Sequence, residues 1–178
     1  GLDYKNVAAV AKIKDIVDIK GSVEISIDND ESMYEFSTAK TNQYRASVNI
    51  SVGCDKKCTY CIVPSTRGEE ISIPPEMIVE QVRKSVVLGA VEVTLLGQNV
   101  NSYGRNFSDG RAKYTFTNLL QDVSKIEGLE RIRFTSPHPL HMDDDFIEEF
   151  ARNPKISKCI HMPLQSGSTS VLKAMKRG

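Results

Sequence analysis

Residues 46–52, Ala-Ser-Val-Asn-Ile-Ser-Val, alternate apolar and polar side chains and are rich in β-branched types, the period-two pattern of a half-buried strand. From there the chain keeps one rhythm. Pro74 and Pro75 open a helix that sets Ile78, Val79, Val82 and Val86 on one face and stops at Gly89. A strand is predicted over 91–96. Thr117 is placed to cap the next helix, which presents Leu119, Leu120, Val123 and Ile126 before Gly128. A third strand over 131–135 leads to a helix capped by Asp143, carrying Phe146, Ile147 and Phe150 and ended by Asn153-Pro154. A fourth strand is expected over 157–162, and Ser168 opens a last helix with Val171, Leu172 and Met175. At least four βα units in succession predict an α/β fold with a parallel sheet and right-handed crossovers. Four units are too few to close a barrel, so the expectation is a partial (βα) barrel cut from a longer chain.

Each predicted strand has one apolar and one polar face. Val48, Ile50 and Val52 oppose Ser47, Asn49 and Ser51; Val91, Val93 and Leu95 oppose Glu92 and Thr94. Ile132 and Phe134 oppose Arg131, Arg133 and Thr135, and Ile160 and Met162 oppose Cys159 and His161. Parallel strands buried on both faces read instead as continuous apolar runs. An unsatisfied buried polar group costs about 1–3 kcal/mol. The polar faces therefore predict a wet lumen, or one filled by a polar ligand.

Before residue 46 the pattern is looser. A short helix over 7–19, a strand over 23–28 and an extended piece over 33–36 are compatible with it. Residues 1–45 are expected to be a connector or the tail of a preceding domain, and 46–178 the chemistry-bearing domain.

Composition narrows the class without naming a partner. Of 178 residues 40% are hydrophobic and 26% charged, as in soluble globular domains. Lys plus Arg equals Asp plus Glu at 23 each, so a polyanionic partner would need a local basic patch. Four cysteines in a chain with no secretory leader or apolar span point to a reducing cytoplasm.

Three of those cysteines, Cys54, Cys58 and Cys61, fall in a C-x3-C-x2-C loop directly after the first strand. Loops at strand C-terminal ends carry the chemistry of α/β proteins. Thiolates select iron–sulfur clusters, zinc or copper(I). Structural zinc takes four protein ligands, commonly in two separated pairs, and no second C-x2-C occurs here. A zinc site completed by Cys159 or a histidine stays open on spacing alone. The sharper reading is a four-iron cluster held by three thiolates, with one iron left for a small molecule. His138, His141 and His161 are not expected to form a metal site, because prolines flank His138 in what reads as a shaped turn.

The other unusual loops fall at predicted strand ends too. Arg67 offers a guanidinium to a carboxylate or phosphate, although the same turn suits any solvated surface. Gln98, Asn99 and Asn101 gather three amides in one loop, as turn formers also do. Gln165 and Ser166 precede the last helix, where a hydroxyl or anion can be held or a helix simply capped.

The combined stretches 53–70, 95–104 and 161–168 resemble the radical S-adenosylmethionine (SAM) superfamily, and within it the methylthiotransferases. Cys54, Cys58, Tyr60 and Cys61 match the superfamily's C-x3-C-x-aromatic-C signature. The Gly97-Gln98-Asn99-Val100-Asn101 loop is similar to the branch that adds a methylthio group to carbon 2 of N6-isopentenyladenosine beside the tRNA anticodon. Branches acting on a ribosomal protein or on threonylcarbamoyl-adenosine tRNA are the alternatives, with a structural zinc module further off. The resemblance runs from about Ala46 to Gly178. It implies a 4Fe–4S cluster on Cys54, Cys58 and Cys61, with SAM chelating the open iron. It also implies a low-potential electron donor and a radical that takes hydrogen from the adenine before sulfur and methyl are added. By the same likeness Tyr60, Gln98, Ser136, Gln165 and Ser166 contact SAM, while Arg67, Asn99 and Asn101 face the tRNA. The family's second cluster and RNA-binding domain belong to parts of the full-length protein not in this sequence. The fragment is therefore expected to bind its cluster without completing sulfur insertion. Oligomeric state is not legible.

Overall fold

The computed structural model describes residues 39–42, 44–107 and 114–177. The elements expected over 7–19, 23–28 and 33–36 lie outside those residues.

Three parallel strands form the centre: β2 (Arg45–Asn49), β5 (Glu92–Leu96) and β6 (Arg131–Phe134). Their register sets Ser47 beside Thr94 and Arg133, and Val48 beside Leu95 and Phe134. A further strand, β1 (Ala39–Asn42), pairs antiparallel with β2, so the sheet begins before the boundary expected at residue 46. The fold is thus an unclosed α/β sheet of order β1-β2-β5-β6. The fourth parallel strand expected over 157–162 is absent. Ile156 makes one parallel bridge to Ile132, with Ile132 N donating to Lys155 O and Ser157 N to Ile132 O, and then the chain leaves the edge. Pro163 and a Gln165 held at φ 68° follow that departure; neither favours an extended ladder.

Helices cover one face. α2 (Pro75–Val87) starts at its prolines and buries Ile78 and Val82. α3 (Phe116–Ser124) buries Leu119, Leu120 and Val123. Its cap is Thr115, not Thr117. Thr115 Oγ1 accepts from Asn118 N while Asn118 Oδ1 accepts from Thr115 N, a reciprocal capping box. Thr117 lies inside the helix and is buried. α4 (Asp144–Arg152) starts at Asp143, whose carboxylate accepts from Phe146 N. Phe146 and Phe150 point inward, but Ile147 is exposed. Glu149 takes the buried position, met by Gln121, Arg152 and Asn153.

Most of the predicted apolar face is the core, but Val91 precedes β5 and is exposed, and Val52, Ile160 and Met162 are only partly buried. Val48, Ile50, Val93, Leu95, Ile132 and Phe134 meet the helices, and Phe134 stands edge-on to Phe116 at 5.4 Å. Burying each such aliphatic side chain contributes about 1.5–3 kcal/mol. On the other face Ser47, Asn49, Thr94, Arg133 and Thr135 are partly exposed, as expected of a polar lining. At its base the buried Glu92 carboxylate is met by Arg45, Arg131 and Arg133. Among the described residues no helix is long and apolar enough to cross a membrane.

Candidate cofactor site at the strand ends

Alternation of faces ends at Ile50. The next pair of residues, β3 (Ser51–Val52), leaves the sheet and pairs antiparallel with β4 (Ile71–Ser72). Ser51 is therefore buried and Val52 only partly so, the reverse of the strand phase expected through residue 52. This short ribbon is the stem of the cysteine loop, which also contains α1 (Val63–Arg67).

Backbone contact closes the stem. Cys54 N donates to Gly68 O at 3.1 Å. Gly53 sits at φ 75°, and a Cβ there would lie 2.0 Å from Glu69 O, so only glycine fits. Asp55 ties the loop on both sides: Oδ1 accepts from Glu70 N at 2.8 Å and Oδ2 from Asn106 Nδ2 at 2.7 Å. At the loop's far side Thr59 N donates to Met175 O, at the C-terminal end of α5 (Thr169–Ala174).

The loop after β5 holds this stem from beneath. Ser102 Oγ lies 2.6 and 2.7 Å from the two oxygens of the buried Glu70 carboxyl and 2.7 Å from Asn99 O. Burial pushes the Glu70 carboxyl up, with the charge of Asp55 adding to it against the pull of Ser102 and of Arg105 and Lys56. Tyr103 OH donates to Ile73 O and Gly104 N to Ser72 Oγ. The Glu70–Ser102 pair went unread in the sequence. A buried acid next to a serine thirty-odd positions away leaves no local pattern.

The three cysteine thiols are free, Cys54 buried, Cys58 partly buried and Cys61 exposed. Burial pushes the Cys54 thiol up, the Lys56 backbone N–H donated to its sulfur acts against it, and Glu70, Cys61 and Cys58 add smaller upward pushes. An all-sulfur donor set, one member of which already takes a backbone N–H, suits an iron–sulfur cluster. As the chain stands, no three His, Cys, Asp or Glu side chains among the described residues are gathered tightly enough to hold a metal ion. Cys159 is exposed and joins no such group.

The other sequence-predicted residues divide. Arg67 lines an open cleft of about 970 Å³ together with Cys54, Lys56, Lys57, Glu70 and Phe107. Tyr60 and Gln98 are exposed. Ser136 and Gln165 both hold left-handed backbone, φ 56° and 68°. Such conformations are costly for residues with a Cβ and concentrate at functional sites. Ser166 Oγ accepts from Ser168 N. Asn101 is spent inside the protein: its Nδ2 donates to His138 O at 2.9 Å and its Oδ1 accepts from His138 N at 2.7 Å. Asn99 is buried, and its Oδ1 has no partner among the described residues.

An open α/β sheet with three free thiols on a loop at its parallel strand ends offers the soft donor set that an iron–sulfur cluster takes. The profile of the Radical SAM superfamily matches residues 48–178, and the chain belongs to that superfamily. That membership implies a 4Fe–4S cluster and SAM, and it sets aside the zinc module.

Three curated relatives carry the comparison further, all named tRNA-2-methylthio-N(6)-dimethylallyladenosine synthase. The protein of Aliarcobacter butzleri is 89% identical over 169 residues, those of Sulfurovum sp. and Nitratiruptor sp. 66% and 64%. Each match covers 95% of this chain and 39% of the relative. The solved structure of Streptococcus suis SuiB bound to precursor peptide SuiA aligns with a TM-score of 0.47 at 14% identity, over 86% of this chain and 35% of that one.

Proposed function

We propose that this chain is the radical-generating segment of a cytoplasmic tRNA methylthiotransferase that modifies carbon 2 of N6-isopentenyladenosine. The observation that carries the reading is the 89% identity across 95% of the chain to a relative of that name. A free three-thiol loop at the strand ends supports it. In this reading Cys54, Cys58 and Cys61 hold the cluster, and Ser136, Gln165, Ser166, Gln98 and the Tyr60 backbone surround SAM. When bound, the cluster and SAM supply a radical able to remove hydrogen from an aromatic C–H bond, given electrons from a low-potential donor. The chain's own residues do the positioning. Gly53, Asp55 and the Glu70–Ser102 contact fix the stem of the cysteine loop. Asn101 holds the loop after β6 against the loop after β5. Arg67 faces the tRNA from the cleft beside the cysteine loop. Sulfur insertion requires segments beyond this chain.

The test is a chimera in which this chain replaces the corresponding segment of the Aliarcobacter butzleri relative. Mass spectrometry of tRNA nucleosides should detect the methylthio-adenosine product, and Cys54→Ala should abolish it. A folded, iron-loaded chimera that leaves tRNA unmodified would overturn the reading.

A further inference from the structure

Three chain segments wall the cleft that Arg67 lines: the start of the cysteine loop, α1 with its return to β4, and the end of the loop after β5. Bonds between these walls set its shape. Asp55 accepts from Glu70 N at 2.8 Å and from Asn106 Nδ2 at 2.7 Å. Asn106 O accepts from Ser72 N at 2.7 Å, and Phe107 makes a parallel bridge to Ser72. At about 970 Å³ the cleft reaches the upper end of the roughly 300–1,000 Å³ usual for small-molecule sites. Neither Cys58 nor Cys61 lines it, nor do Gln98, Ser136, Gln165 or Ser166. It is a space apart from the SAM contacts read from the sequence.

The lining divides by chemistry. Pro64, Ile71 and Phe107 are partly buried and supply an apolar wall, with Phe107 set edge-on against Tyr103 at 5.6 Å. Lys56, Lys57 and Arg67 supply three cations, Lys57 and Arg67 exposed and Lys56 partly so. None of these three side chains has a hydrogen bond or ion pair among the described residues. Most of the acids beside them are engaged. Asp55 spends both oxygens on the walls and the buried Glu70 lies against Ser102, which leaves the exposed Glu69. An apolar wall beside unmatched cations suits a group that is flat and apolar in one part and anionic in another. A nucleotide is such a group, whereas a carboxylate peptide meets the cations and leaves the wall unused.

We propose that the cleft seats one nucleotide of a bound RNA strand, with its base on Phe107, Ile71 and Pro64 and its two flanking phosphates on Lys56, Lys57 and Arg67. Each phosphate keeps two free oxygens, so three cations are within the capacity of the pair. The net charge of the chain is zero, so the unmatched cations are a local feature and not the fringe of a general basic surface. The seat rests on the tRNA reading for its RNA, and it adds Lys56, Lys57 and a base wall to the Arg67 contact. Phosphate contacts position a strand, and stacking on a ring tolerates any base. The nucleotide held here is therefore a neighbour of the reacting one, seated without selection of its sequence.

The test titrates this chain with a tRNA anticodon hairpin across KCl concentrations, beside K57Q, R67Q, F107L and F107Y variants of unchanged circular dichroism and urea midpoint. K57Q and R67Q should each weaken binding about fivefold at about 0.1 M KCl and lower the log–log salt slope by about 0.7. F107L should weaken it about tenfold with the slope unchanged, and F107Y, which keeps the ring, should bind like the parent. Poly-glutamate, the acidic-chain control, should compete weakly and be indifferent to F107L. Hairpin binding that is identical in the parent and all variants overturns the seat and leaves the tRNA reading standing. Slope losses in K57Q and R67Q with F107L equal to the parent overturn the base wall and reduce the cleft to a polyanion surface. Poly-glutamate competing as well as the hairpin has the same consequence. A hairpin that the parent does not bind overturns the seat too, while methylthio-adenosine made by the chimera would still uphold the tRNA reading.

Discussion

Glu92→Gln measures how far the sheet depends on one buried charge. The Glu92 carboxylate is 5% exposed. It meets Arg45 Nε at 3.2 Å, Arg131 Nη1 at 3.2 Å and Arg133 Nε at 3.1 Å. Removing one member of a buried charge pair costs about 3–5 kcal/mol. The three guanidiniums here are partly exposed and re-solvate, and glutamine keeps one acceptor oxygen. The expected loss is therefore about 2–3 kcal/mol, a large share of the ~5–15 kcal/mol that a domain retains. Burial alone would raise this carboxyl, but hydrogen bonds from Arg131 and Arg133 and the charges of Arg133 and Arg45 outweigh it and hold the group below its ordinary value. A depressed carboxyl contributes stability above its unfolded pKa and loses it as pH falls through the folded one. In urea unfolding the variant should lower the midpoint at neutral pH with an unchanged slope. Its deficit should shrink as pH drops below about 4. A deficit under ~0.5 kcal/mol at neutral pH, within the range of ordinary surface substitutions, would refute the reasoning. So would a deficit that stays constant into acid.

Gly53→Ala puts a Cβ 2.0 Å from Glu69 O at a left-handed backbone position. It should force the β3–β4 ribbon apart and lower iron uptake on anaerobic reconstitution, with the urea midpoint of the sheet changed much less. Ser102→Ala removes the hydroxyl beside the buried Glu70 and should cost about 1–3 kcal/mol by urea titration. Glu70→Gln keeps one acceptor oxygen for the Ser102 hydroxyl and removes the buried charge, so it should cost less than Ser102→Ala; the opposite order would contradict a carboxyl whose burial works against its charge.

The sheet and its helices were legible because period and punctuation agreed. Pro75, Gly89, Asp143 and the apolar faces of β2, β5 and β6 lie where local patterns put them. The failures occurred where tertiary partners decide. Ser51 and Val52 continue an alternating pattern, yet their partner is β4 and not the sheet, so the faces invert. Ile147 and Glu149 exchange the expected burial because Gln121, Arg152 and Asn153 satisfy the acid. Residues 157–162 alternate convincingly, but after Ile156 they make no ladder. Within the site, the cysteine spacing was readable as chemistry. The contacts that hold the loop were not readable, since Glu70–Ser102, Asp55–Asn106 and Asn101–His138 join residues far apart in the chain.

Iron stoichiometry of the anaerobically reconstituted chain, followed by electron paramagnetic resonance of the reduced sample with and without SAM, tests the central claim most directly. The account predicts one 4Fe–4S cluster per chain, a spectrum altered by SAM, and loss of both in the Cys54→Ser, Cys58→Ser, Cys61→Ser triple variant. Iron retained by that triple variant, or a cluster whose spectrum ignores SAM, would contradict it.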